Sequence, residues 1–240
     1  MTGTDITNLL ASLLKLRREP VAIKAWKELP CDIASYQGSA FPGMCTQIGE
    51  VLASGATFYT TADHCFCTGG VVATGVAPPV GREDREEMIK VHFSISKGYK
   101  DMPTAFCYEK NIEKLIPRVA AANTAVQIGL LRDIKDPDIV LLFCTPTAAD
   151  ILSRAYCYVE GEPIQGFAGN GACPFLIQYP FVTGKPSFSC SDVSWRKYIG
   201  LCPEEMTVSM PAKILSRLCR DLPEVARAYS RYGEPPEEEG

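Results

Sequence analysis

The chain has 240 residues, 46% hydrophobic and 22% charged, an ordinary balance for a globular protein with a sizeable core. Its net charge of −4 is matched by the four glutamates of the C-terminal GEPPEEEG, and the rest of the chain is balanced, so nothing electrostatic points to nucleic acid or an anionic membrane. Apolar runs such as Ile139–Phe143 are too short to span a bilayer and Met1–Arg18 lacks the order of a signal peptide; a cytoplasmic protein is expected, with its eleven cysteines as thiols or ligands rather than disulfides.

In chain order, Thr4 and Asp5 can cap a helix whose apolar positions Ile6, Leu9, Leu10, Leu13 and Leu14 recur at helical spacing, and Pro20 ends it. Val21–Trp26 alternates as a strand. A polar connection over Leu29–Gly43 leads to a helix at Met44–Ala53 that carries Cys45 in its first turn and ends at Gly55. Ala56–Thr60 reads as a short strand, and the stretch from Gly69 to Ala73 as a helix or turn. Gly75–Gly81 is a loop, and Arg82–Met88 a charged helix that continues into His92 and Phe93. A strand at Thr104–Tyr108 and a helix at Ile112–Ala121 follow.

Ala125–Leu130 and Ile139–Phe143 read as strands, and Thr147–Tyr156 as a helix. Gln165–Gly171 is a glycine-rich lead into Cys173 at a helix start, with Gly184 as its end. Ser187–Ser189 and Met206–Met210 are short strands. Pro211 begins a helix over Ala212–Arg220, and Pro223 separates it from a last helix at Glu224–Tyr232. This pattern is α/β or α+β, a mixed sheet with flanking helices. One globular domain is expected over residues 1–232, with a pseudo-twofold repeat of halves 1–100 and 101–232, and an acidic flexible tail over 233–240.

Four cysteines, Cys107, Cys144, Cys157 and Cys219, lie inside apolar elements and read as core or helix-face thiols. Cys31 and Cys202 adjoin prolines and could be either. Cys45, Cys65, Cys67, Cys173 and Cys190 differ: they stand at helix starts or beside Gly, Ser and Thr, where backbone N–H groups can favour a thiolate. No C-x-x-C pair occurs, so a four-sulfur site from Cys45, Cys67, Cys173 and Cys190 would draw on distant ligands. Gly69, Gly70 and Gly171 would let the backbone approach a bound group closely. A Cys–His hydrolase would be left with His92 as base, since His64 adjoins Cys65 in the chain. The run G-x-x-G-x-G from Gly166 to Gly171 is not the dinucleotide fingerprint.

Taken together, REPVAIKAW, MCTQIGEVLASG, CTGGVVATGV, GNGAC, GKPSFSCSDVSWR and EEMTVSMP, in this order and spacing, resemble the family of domain of unknown function 169, from about Leu9 to Val225. The family is found mainly in archaea and anaerobic bacteria. The resemblance implies retained cysteines at Cys45, Cys67, Cys173 and Cys190, with Arg196 after the last. Cys65 is an additional thiol, and Ser191-Asp192 stands where a glycine-rich turn is more usual. The expectation is therefore a 4Fe–4S iron–sulfur centre on the four thiolates, serving electron transfer, redox chemistry or cluster assembly in anaerobic metabolism. Arg196 would offset its negative charge or bind an anionic partner group. A redox or assembly protein is the expected partner, homo-oligomerisation is compatible with an exposed Cys65, and the reaction is left open. The alternatives are a tetrapyrrole or corrinoid carrier or enzyme, with a thiolate or His64 as axial ligand, and a zinc-stabilised interaction protein.

Overall fold

The computed structural model describes residues 1–38, 43–65, 67–78, 81, 86–87, 89–90 and 98–232. Seven strands form one mixed sheet: β1 (Val21–Trp26), β2 (Phe58–Thr60), β3 (Ala125–Leu130), β4 (Ile139–Cys144), β5 (Gln165–Phe167), β6 (Ser187–Ser189) and β7 (Met206–Pro211), in the order β2-β3-β1-β4-β7-β6-β5. All neighbours are antiparallel except β5 and β6. β1 lies between β3 and β4, so strands from both parts of the chain share one sheet.

Both faces of the sheet are covered, which is why β3 and β4 are buried along their whole length. Side-chain alternation sorts the central strands into two layers. Ala22, Val140, Leu142, Cys144, Val208 and Met210 face helices α1 (Gly3–Leu14), α5 (Pro146–Glu160) and α8 (Ala212–Ser230). Val21, Ile23, Val126, Ile128, Ile139, Leu141 and Phe143 face α2 (Met44–Ser54), α3 (Thr68–Ala73) and α7 (Val193–Ile199). This second layer also holds the π-helical turn Pro174–Gln178, which runs into α6 (Tyr179–Thr183). Trp195, 1% exposed, fastens α7 to the sheet by donating from Nε1 to Thr207 Oγ1 on β7 at 3.1 Å. No helix among the described residues is long and apolar enough to cross a membrane.

Several boundaries differ from the sequence reading, each for a local reason. Thr104–Tyr108 is not a strand but part of helix α4 (Met102–Leu115), because Asp101 accepts the Thr104 N–H at 2.9 Å as N-cap and Pro103 follows in the first turn. That helix stops before Ala121: Pro117 holds the preceding Ile116 in extended backbone. The first helix is capped two residues earlier than Thr4, by a Thr2–Asp5 capping box. The lead at Gln165 is a short strand, and α7, which the chain reading did not anticipate, begins at an Asp192 cap. The expected helix at Arg82–Met88 lies mostly outside the described residues, although residues 86–87 and 89–90 are helical; His92 and the tail 233–240 also lie outside.

Pro223 does not break the last helix. It sits inside α8, whose buried Ile214, Leu215, Leu218, Cys219, Leu222 and Val225 form one continuous apolar stripe, so packing overrides the missing amide. Pro223→Ala restores an N–H that can bond the Cys219 carbonyl, and should raise stability to urea by about 1–3 kcal/mol. An equal or lower denaturation midpoint would contradict this.

Candidate metal centre

Three thiols that are far apart in the chain meet on the second layer, each in the first turn of a helical segment. Cys45 follows the N-cap Gly43 of α2. Cys67 is itself the N-cap of α3. Cys173 precedes the π-turn in a helical run that starts at Ala172. Two glycines face the sulfurs. A Cβ at Gly69 would stand 3.7 Å from Cys67 Sγ and 3.9 Å from Cys173 Sγ, and one at Gly43 would stand 3.4 Å from Cys45 Sγ and 3.4 Å from Cys67 Cβ. Side chains at either position would fill the space between the thiols. Gly70 has a different task, since a Cβ there would meet Met44 Cβ at 2.4 Å; its bareness lets α3 pack on α2.

Asp192 completes the arrangement. Its Oδ1 accepts the Trp195 N–H at 2.8 Å and caps α7, while its Oδ2 accepts from Gly171 N–H at 3.1 Å and Ala172 N–H at 2.6 Å. One carboxylate thus serves two helix starts, and ties the turn after β6 to the backbone that carries Cys173. Gly171 adopts φ +99°, a region open mainly to glycine, and this aims its amide at Asp192. On the far side of that loop, Tyr108 donates to the Asn170 carbonyl at 2.8 Å and packs against Tyr99.

The electrostatics are those of acids crowded in a low-dielectric space. Burial, with the neighbouring Cys67 and Asp192, pushes the Cys45 thiol up to about 12. The Cys67 thiol is raised by burial and by Asp192, with the Gly69 amide acting in the opposite sense. The Cys173 thiol is raised well above its ordinary value, by burial and then by Cys67, Cys45, Asp192 and Cys65. Three thiols whose charged forms are disfavoured by burial and by Asp192 are a setting that a bound cation would reverse.

The fourth expected ligand, Cys190, is solvent-exposed on the turn between β6 and α7. Arg196 is engaged locally, donating to the carbonyls of Cys190, Glu205, Cys202 and Pro203, and so fixes the backbone of that turn. Cys65, expected to be exposed, is buried instead, with Gln47 Nε2 3.4 Å and Thr60 Oγ1 3.6 Å from its sulfur. His64 turns back on its own loop, with Nδ1 3.3 Å from the Thr61 amide. Cys144 and Cys219 are core thiols of the first layer, whereas Cys107 and Cys157 are exposed on helices. Sequence reasoning missed Asp192, Gly43, Gln47 and Thr60. Only Asp192 carries a local signal, as a cap residue three before Trp195, and its reach to Gly171 is long-range.

The donor set is sulfur, the ligand type that soft metal ions and iron–sulfur clusters take. Among the described residues no three His, Cys, Asp or Glu side chains stand close enough to hold one metal ion.

Comparison with known families places the chain: it belongs to the family of domain of unknown function 169, described as uncharacterised ArCR, which matches residues 9–221. Neither a curated protein nor a solved structure matches it.

Two outcomes follow for the metal-free, reduced protein. Alkylation followed by peptide mass spectrometry should label Cys31, Cys107, Cys157 and Cys190 first, and Cys45 should keep gaining rate roughly tenfold per pH unit above pH ~9, where an ordinary thiol levels off. Because folding favours the neutral thiols, stability is full below the ordinary thiol pKa of ~8.5 and falls as pH rises toward about 12. A denaturation midpoint that rises over this range would contradict the uncharged assignment.

Proposed function

We propose that this member of the family binds an iron–sulfur cluster, most simply of the 4Fe–4S type, on Cys45, Cys67 and Cys173, with the fourth position assigned by the family pattern to Cys190. The observation that carries the reading is the meeting of three first-turn thiols around the bare faces of Gly43 and Gly69. Helix N-termini present partial positive charge and free amides, which suit an anionic, thiolate-ligated cluster.

When bound, the cluster would supply one-electron redox capacity, at a potential set by burial, net charge and hydrogen bonds to sulfur. The chain's own residues do the rest. Asp192 holds the Cys173 backbone in place and keeps a negative charge beside the thiolates, which favours the oxidised form. Arg196 fixes the Cys190 turn. The role is electron transfer, redox chemistry or cluster assembly in anaerobic metabolism, in a cytoplasmic protein that works with a redox or assembly partner.

Protein isolated without oxygen should contain iron and acid-labile sulfide in equal amounts and absorb broadly near ~400 nm. Cys45→Ala, Cys67→Ala and Cys173→Ala should each lose most of that iron while keeping the folded circular dichroism spectrum. Iron-free wild-type protein, or three variants with unchanged iron, would sink the reading.

A further inference from the structure

We propose that Ser187 is a positioning residue for Cys173: its hydroxyl stands in for an amide that Pro180 cannot supply, and so holds the π-turn that carries this thiol. The role rests on the cluster reading above, and Ser187 fills it without touching the site. The need for it begins in the sequence. In the helical run that starts at Ala172, the segment Pro174–Gln178 is π-helical, and the Tyr179 N–H goes to the Pro174 carbonyl. In the same register the amide of residue 180 would bond the Phe175 carbonyl, but residue 180 is a proline and has no N–H. An α-helical register fails there too, because the Pro180 ring would press on the Leu176 carbonyl. The wider turn relieves that contact and leaves the Phe175 carbonyl without an amide partner in the helix.

Ser187 meets that carbonyl from another element. It lies on β6, is 0% exposed, and its Oγ donates to the Phe175 carbonyl oxygen at 2.7 Å. A buried carbonyl without a donor is costly, so this bond helps to decide whether the π-turn persists. Ser187 pairs with Ser209 of β7 in the sheet register, which puts both side chains on one face. Ser209 is equally buried, yet its Oγ has no hydrogen-bond partner among the described residues. Burial on this face therefore does not by itself bring a hydroxyl a partner; Ser187 has one because the turn presents a carbonyl to it. Cys173 leads into the turn, two residues before Phe175, and a Cβ at Gly69 of α3 would stand 3.8 Å from the Cys173 Cβ. The pitch of the turn thus sets how Cys173 faces the start of α3, where Cys67 is the N-cap. π-Turns inside helices are rare and recur at functional sites.

Wild type, Ser187→Ala, Pro180→Ala, the double variant and Ser209→Ala, each isolated without oxygen, are compared for iron per chain, reduction potential and the electron paramagnetic resonance signal after dithionite reduction. Ser187→Ala should keep most of the iron while its g values and potential shift from wild type. Adding Pro180→Ala returns an N–H that can reach the Phe175 carbonyl, so the double variant should recover both. Ser209→Ala removes an unpartnered hydroxyl from the same face and should match wild type. The proposal is overturned by an unshifted Ser187→Ala, by an equal shift in Ser209→Ala, or by a double variant no closer to wild type than Ser187→Ala. Urea midpoints of the metal-free proteins give a second readout: Ser187→Ala should lower the midpoint in the wild-type background and much less in the Pro180→Ala background, and equal losses in both overturn the pairing. Should Ser187→Ala not fold, the double variant carries the test, and its failure to fold overturns the proposal. Iron-free wild type overturns the cluster reading and the role at Cys173 together, whereas an iron-loaded wild type with an unshifted Ser187→Ala overturns this inference alone.

Discussion

The carboxylate of Asp192 is the joint on which the proposed centre depends. By accepting from Gly171, Ala172 and Trp195 it satisfies backbone amides at two helix starts. Charge-assisted bonds to N-terminal amides are stronger than neutral ones, and each otherwise leaves an orphan donor at a buried helix end. The joint also puts a carboxylate beside three half-buried thiols. A protein that required only packing here would gain stability from an apolar side chain. Retaining acids at that density makes physical sense when a cation joins them.

The sheet supplies the rigidity behind this joint. β4 and β7 are buried at the centre, and Trp195 carries the order of β7 into α7 through Thr207. α2 is held close to α7 because Gly49 has no side chain: a Cβ there would meet the Tyr198 carbonyl oxygen at 2.2 Å. α3 is held close to α2 in the same way by Gly70. Small residues therefore set how near the helix starts come, and the cysteines sit where those starts point. The glycines of the CTGG and GNGAC stretches divide between packing, at Gly70, and clearance beside sulfur, at Gly69.

Much of the scaffold was legible because it is written in periodicity. The strands at Val21–Trp26, Ala125–Leu130 and Ile139–Cys144 and the helix at Met44–Ser54 follow from local alternation, spacing and the glycine stop at Gly55. Thr104–Tyr108 misled because its aromatic, β-prone composition was outweighed by the Asp101 cap. Pro223 misled because a proline's local cost was met by a long buried stripe. At the site, the helix-start positions of Cys45 and Cys173 were readable, as was the small-residue setting of Cys67. The burial of Cys65 was not, since it depends on Gln47 and Thr60 arriving from α2 and β2. The outward position of Cys190 likewise depends on a turn clamped by Arg196.

The central claim is that these thiols share one iron–sulfur centre. X-ray absorption at the iron edge, on protein isolated without oxygen, tests it most directly. The account predicts a first shell of sulfur alone together with a short iron–iron distance, the pattern of a thiolate-ligated cluster. Iron surrounded by nitrogen and oxygen, or iron without a second iron nearby, would contradict it.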